Sequence, residues 1–211
     1  MTRVMDDASL TTETQRRRAV DWAVAMTADT RLAPQRYERQ LLARYQQGDL
    51  TIDQVIELLD TSVYQVLYRS RATGPLSEAA LQDLLEAARR FNVEHRISGM
   101  LLYSGGYFVQ VLEGPEEAVW DLYASIQQDA RHTQVVTVNT GPIAERHFAG
   151  WSMAFGHAAT PDLDRVLVAV QGPRPVVAGP PIEDPNLLAL LRAFGIGSPV
   201  ADGPPMPPPG T

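Results

Sequence analysis

A chain of 211 residues, 45% hydrophobic and 20% charged, has room for one well-packed domain with additions and the balance of a soluble globular protein. Its formal net charge of −7 argues against a broad nucleic-acid surface, and the absence of cysteine excludes disulfide scaffolds, thiolate zinc sites and cysteine nucleophiles. His95, His132, His147 and His157 lack the helical spacing of metal ligands, so no metal is expected.

The first 61 residues read as three helices. Residues 12–26 place Ala19, Val20, Ala23 and Val24 at helical spacing. Residues 34–47 open with Pro34 in the first turn and stop at Gly48, with Tyr37, Leu41 and Tyr45 recurring every four residues. Residues 51–60 have a capping box of Thr51 with Gln54 and a staple from Leu50 to Val55. This segment holds too little apolar surface for a core of its own. It is expected to pack on the following domain, on the sheet face away from that domain's helices, or on another chain.

Strand and helix then alternate. Residues 64–69 form a strand. Ser77 caps a helix running to about Asn92, with Leu81, Leu84, Leu85 and Ala88 as its apolar face. Residues 97–103 and 107–113 form a hairpin across Gly105-Gly106. Pro115 opens a second helix through Val119, Leu122, Tyr123 and Ile126, ending near Gln128, and strands follow at 134–139 and 148–155. The order βαββαββ predicts an α/β (α+β) ferredoxin-like sandwich, with helices on one face of a mixed sheet. Short helices are predicted at 161–171 and 186–194, then a Pro-rich tail with the composition of disorder. The expected division is therefore 1–61, 62–157, 158–197 and 198–211.

The stretch from Phe108 to Gly114 carries the most chemical information. Strand alternation puts Phe108, Gln110 and Leu112 on one face and Val109, Val111 and Glu113 on the other. A buried amide without partners costs about 1–3 kcal/mol, so Gln110 needs a core hydroxyl or a ligand, and both readings are open. Upstream lies Leu67-Tyr68-Arg69-Ser70-Arg71-Ala72-Thr73, and Asn92 stands five residues before the run from Ile97 to Tyr103. Downstream are Asp129-Ala130-Arg131-His132 and Phe148-Ala149-Gly150-Trp151-Ser152-Met153. Taken singly, Arg131 reads as a solvated loop residue, His132 as structural and Trp151 as core.

Together and in this order, these five motifs make residues 63–156 similar to a BLUF domain, the flavin-binding blue-light sensor module. The resemblance implies FAD, and without cysteine the flavin is expected to be bound non-covalently. An isoalloxazine ring needs amide donors and acceptors at its polar edge and aliphatic walls elsewhere. Asn92 and Gln110 supply the amides, and Leu84, Leu85, Ala88, Leu122 and Ile126 the walls. Carried over from the family, Tyr68 is the photoactive tyrosine, an electron and proton donor to the excited flavin. Gln110 is the glutamine whose hydrogen bonds switch, Asn92 binds the flavin's polar edge, and Ser70 neighbours that cluster. Arg131, with His132 beside it, is the fork-shaped donor for the diphosphate. Trp151 and Met153 match the Trp-x-Met expected to rearrange beside the glutamine. Phe91 stands where many members have Asn or His, Glu94 where Arg is common, and Ser98 where Thr is usual. The first two put contacts beyond the ring in doubt, with Arg90 or Arg96 as candidates to restore the charge.

The expected function is a blue-light photoreceptor, not an enzyme, whose output is a conformational change and a protein–protein contact. A homo-oligomer and an unidentified signalling partner are expected, without membrane or nucleic acid. No window of ~18 apolar residues occurs and Met1–Leu10 lacks an apolar core, so a cytoplasmic location is expected. One rival is an acylphosphatase-like hydrolase on the same fold, using Arg69, Arg71 and Asn92. Another is a helical antitoxin-like module at 37–51, or Arg16-Arg17-Arg18 touching nucleic acid. Eight Arg against ten acids in residues 1–62 speak against that last role.

Overall fold

The computed structural model describes residues 10–30, 32–171, 177, 180–194 and 196, and the Pro-rich tail lies outside them. β1 (Val63–Ala72), α4 (Glu78–Glu94), β2 (Ser98–Ser104), β3 (Tyr107–Gly114), α5 (Glu116–Gln128) and β4 (His132–Ile143) follow three N-terminal helices, α1 (Glu13–Thr27), α2 (Arg36–Gln47) and α3 (Ile52–Asp60). β5 (Ala154–His157), α6 (Thr160–Gln171) and α7 (Pro185–Ala193) complete the order. The sheet order is β4-β1-β3-β2-β5. Its first four strands pair antiparallel and β5 joins the β2 edge in parallel, so the ferredoxin-like βαββαβ unit is present with one added strand. The β2–β3 hairpin turns on Gly105 and Gly106, both at positive φ (55° and 83°), the conformation a two-residue hairpin requires.

Local signals hold at the helix starts. Ser77 accepts from the Ala80 N–H, and Thr51 and Gln54 form a reciprocal capping box. α2 begins after Gln35, so Pro34 precedes the cap and is not in the first turn.

Both sheet faces are covered. Val66, Tyr68, Phe108 and Leu112 pack with Leu81, Leu85, Val119 and Tyr123 of α4 and α5. On the opposite face Leu67, Met100, Val109 and Val111 pack with Leu163, Val166, Leu187 and Leu190 of α6 and α7. That second layer differs from the expectation that the N-terminal segment would cover this face. α6 and α7 present leucine and valine at helical spacing and take the place. α1–α3 instead bury Val20, Leu41, Tyr45, Leu50 and Val55 in a small core of their own, and α2 lies against β4.

Candidate functional site

Register places the central pair. Tyr68 of β1 stands opposite Gln110 of β3, and both side chains lie on the α4–α5 face. The buried phenol donates to Gln110 Oε1. The amide nitrogen then donates to Met153 Sδ at 3.4 Å, so both ends of the amide are engaged and its orientation is defined. Gln110 thus bonds a core hydroxyl and also borders a cavity, which joins the two readings open from sequence. Burial, with smaller contributions from Tyr123 and Asp129, pushes the Tyr68 pKa well above the ordinary phenol value. The hydroxyl therefore keeps its proton and acts as a donor. The Tyr123 ring lies 5.2 Å from that of Tyr68, and its hydroxyl shares a 2.7 Å hydrogen bond with Thr137.

Asn92 faces inward from the last turn of α4 and is buried. Its Nδ2 donates to the Ser152 carbonyl at 2.5 Å. Its Oδ1 is buried without a hydrogen-bond partner among the described residues. An orphaned acceptor of this kind costs about 1–3 kcal/mol, and a donor from a bound group would remove that cost.

Both amides border one cavity of about 290 Å³ between α4, α5 and the sheet. Leu84, Ala87, Ala88, Leu122 and Ile126 form its aliphatic walls, Tyr68, Asn92, Gln110 and Ser125 its polar points, and Asp129, Arg131 and His132 lie at one margin. Leu85, expected as wall, packs into the core instead. The size sits at the low end of ligand clefts (~300 Å³), and aliphatic walls with a few converging amides suit a flat, partly polar ring system. The residues present fit a flavin ring.

Ser70 is buried and its Oγ is 2.8 Å from His132 Nδ1. Burial lowers the His132 pKa, Asp129 opposes that shift and Arg131 reinforces it. The Arg131 guanidinium bonds both oxygens of Asp129, which holds that carboxyl at about 2, chiefly through the side-chain hydrogen bond. The fork expected to serve a diphosphate is engaged by this neighbour.

The last strand differs most from expectation. Residues 148–155 read as a strand, yet β5 covers only Ala154–His157, and 148–153 form turns. The reason is where the carbonyls go. Ser152 O is taken by Asn92, Met153 O by Arg89 Nε at 3.1 Å, and Trp151 O by the Gly99 N–H at 3.1 Å. The Ser152 and Met153 carbonyls thus go to side chains of α4, while the Trp151 carbonyl keeps a backbone partner in β2. Trp151 and Met153 are consequently not equivalent. Met153 is buried on Gln110, whereas Trp151 is 49% exposed, with its ring 6.0 Å from that of Phe148. Arg89 was missed from sequence, although it precedes Asn92 by three residues and shares its helix face.

Phe91 borders the cavity and stacks on His95 at 3.8 Å, while Arg90 and Arg96 do not border it. Arg69 lines a separate hollow with Val136 and Leu163 on the other sheet face, so it does not converge with Asn92 as the hydrolase reading required.

Residues 63–154 match the family model described as BLUF, sensors of blue-light using FAD. The photoactivated adenylate cyclase subunit beta of Euglena longa is 45% identical over 95 residues, which cover 44% of this chain and 11% of that protein. The blue light- and temperature-regulated antirepressor BluF of Escherichia coli (strain K12) is 32% identical over 105 residues, covering 50% of this chain and 26% of that protein. Among solved structures, the dark-state structure of the BLUF protein BlrB is 29% identical with a TM-score of 0.49, covering 64% of this chain and 96% of that one. The chain spans about a tenth of the length of the cyclase subunit and about a quarter of the antirepressor. Among the described residues, no helix is long and apolar enough to cross a membrane.

Proposed function

Because residues 63–154 of this chain belong to the BLUF family, we propose that the protein is a blue-light receptor holding an oxidised FAD non-covalently in the cavity between α4 and α5. The observation that carries this reading is the line Tyr68–Gln110–Met153, of which Tyr68 and Gln110 border the same cavity as Asn92 with its orphaned oxygen. Bound there, a flavin supplies blue-light absorption and a one-electron oxidant once excited. Asn92 Oδ1 and the Gln110 amide hold the polar edge, and the Leu84, Ala88, Leu122 and Ile126 walls exclude water from it.

Tyr68 is assigned the role of electron and proton donor, since burial keeps its hydroxyl protonated. Gln110 is the switch. Rotation or tautomerisation of its amide exchanges the donor and acceptor ends. With the nitrogen turned away, a carbonyl-type oxygen faces Met153 Sδ, and two acceptors make no hydrogen bond. Rotation of the amide therefore releases Met153, and the segment carrying it becomes the mobile element.

The output is a conformational change read by another protein, a second copy of the chain or a signalling partner. The cyclase activity of the Euglena longa relative, of which this chain covers 11%, is not assigned to this chain.

An absorption spectrum before and after blue light tests the reading. Yellow protein, flavin released on denaturation and a reversible red shift are expected. A colourless protein that FAD cannot reconstitute refutes it.

A further inference from the structure

Glu113 is the most deeply buried charged residue described, at 0% exposure, and the light-receptor reading gives it no role. It lies on β3 three residues beyond Gln110, on the opposite sheet face. Its Oε1 accepts from Gln65 Nε2 at 2.9 Å and lies 3.3 Å from His147 Nδ1, and its Oε2 accepts from the Phe148 N–H at 3.0 Å. Arg146 closes the same knot: Nη1 donates to the Glu113 carbonyl and to Ser98 Oγ, each at 2.9 Å, and Nη2 to the Arg96 carbonyl at 2.5 Å. A buried carboxylate is tolerated only with its lone pairs satisfied. Here two of the three groups that face it, His147 and the Phe148 N–H, come from one short stretch.

That stretch begins the segment ending at Met153. Phe148 packs in the core shared with α6 and α7, whereas Met153 packs in the core shared with α4 and α5. The segment therefore passes from one sheet face to the other. It is pinned at its start by Glu113 and Arg146, and at its end by Asn92, Arg89 and Gln110.

We propose that Glu113 is a positioning residue for the light response: with Arg146 it fixes the start of the 146–153 segment, and through it the placement of Met153 against Gln110. The proposal rests on the receptor reading for its consequence, but its geometric content is testable in the dark. A released Met153 has a fixed point to return to, so the anchor biases the segment toward its dark arrangement.

The test uses the full-length, FAD-loaded protein with methyl-labelled methionine, the Met153 resonance being assigned with Met153→Leu. Glu113→Leu keeps approximate volume but strands the Phe148 N–H. Glu113→Gln keeps an acceptor for that N–H, because Gln65 can flip its amide and His147 can present Nδ1 as an acceptor toward the new NH₂. Glu113→Leu is expected to move the dark Met153 resonance and to change the dark-recovery rate by about tenfold, the bias carried by one buried hydrogen bond. Glu113→Gln is expected to restore both. Should Glu113→Leu not fold, Arg146→Ala decides, with a smaller displacement of the same resonance expected. An unmoved Met153 resonance in the folded variant overturns the proposal, as does equal displacement by Leu and Gln. A wild-type protein without a red shift counts against the receptor reading alone, since the methyl comparison still decides whether Glu113 positions Met153.

Discussion

Tyr68 and Gln110 occupy one rung of the β1–β3 ladder, so their hydrogen bond is a consequence of strand register and not of loop placement. A one-residue slip of β3 would send Gln110 to the α6–α7 face beside Leu67 and Met100, and turn Val109 and Val111 to the α4–α5 face. Both sheet faces are packed, which specifies the register and with it the chemistry.

Tyr68→Phe removes the hydroxyl and keeps the ring that packs on Tyr123. Gln110 Oε1 loses its donor inside the core, a cost of about 1–3 kcal/mol. The variant is expected to bind flavin but to show no light-induced red shift in a difference spectrum. A normal shift would remove Tyr68 from the mechanism.

Asn92→Leu should weaken flavin retention, by about ten- to a hundredfold if one or two buried hydrogen bonds are lost. It also leaves the Ser152 carbonyl without its donor, so Met153 should shift in the dark. Flavin-to-protein ratio after dialysis checks the first effect. Retention equal to wild type would mean that Asn92 holds the segment and not the ligand.

The parts of the site legible in sequence are those whose chemistry is set by local pattern. Gln110 is conspicuous because an amide interrupts an apolar strand, whereas Tyr68 and Asn92 are singled out only by the resemblance of their motifs to the BLUF family. What stayed hidden depends on contacts distant in the chain. The composition of Phe148–Met153 suits a strand, but its last two carbonyls are taken by the side chains of Asn92 and Arg89, residues about sixty positions away in the chain. The pairing of Arg131 with Asp129 lies two residues apart in the chain, but spacing alone does not say whether an Arg faces its neighbour or a ligand. α6 and α7 are readable as helices, yet an amphipathic pattern does not say which surface it will cover, and so the second layer, expected from the N-terminal segment unless that segment meets another chain, comes from α6 and α7.

His132 sets an acid-side limit on stability. Burial lowers its folded pKa below the ordinary imidazole value, so over that interval the unfolded chain binds more protons and stability rises with pH. Its contribution is complete above about pH 6.5 and is lost as pH falls from there toward the folded value. Asp129, held at about 2, acts in a separate window, losing its contribution only as pH drops below the ordinary carboxyl value, and the exposure of its partner Arg131 makes that effect small. The urea midpoint should therefore fall between pH 7 and pH 5, and His132→Gln should flatten that slope. An unchanged slope would place the acid sensitivity elsewhere.

The two helical additions should respond oppositely to removal. α6 and α7 share one core with the sheet, where Leu187 and Leu190 are fully buried beside Leu67, Met100 and Val111. Leu190→Ala should cost about 2–5 kcal/mol, the range for emptying a buried leucine site. Ending the chain after residue 157 would expose the apolar face of Leu67, Met100, Leu102, Val109 and Val111 together, a patch expected to drive association. Deleting residues 1–61 instead removes a satellite core of five buried side chains and the Arg36 bond to the Phe194 carbonyl, leaving Tyr68, Asn92, Gln110 and Met153 in place. That shortened protein should stay soluble, bind flavin and retain its red shift, with any change confined to its oligomeric state. Size-exclusion chromatography and thermal melts of both truncations decide the matter. A monomeric 1–157 fragment with the melting temperature of the full chain would show that α6 and α7 do not hold the sheet.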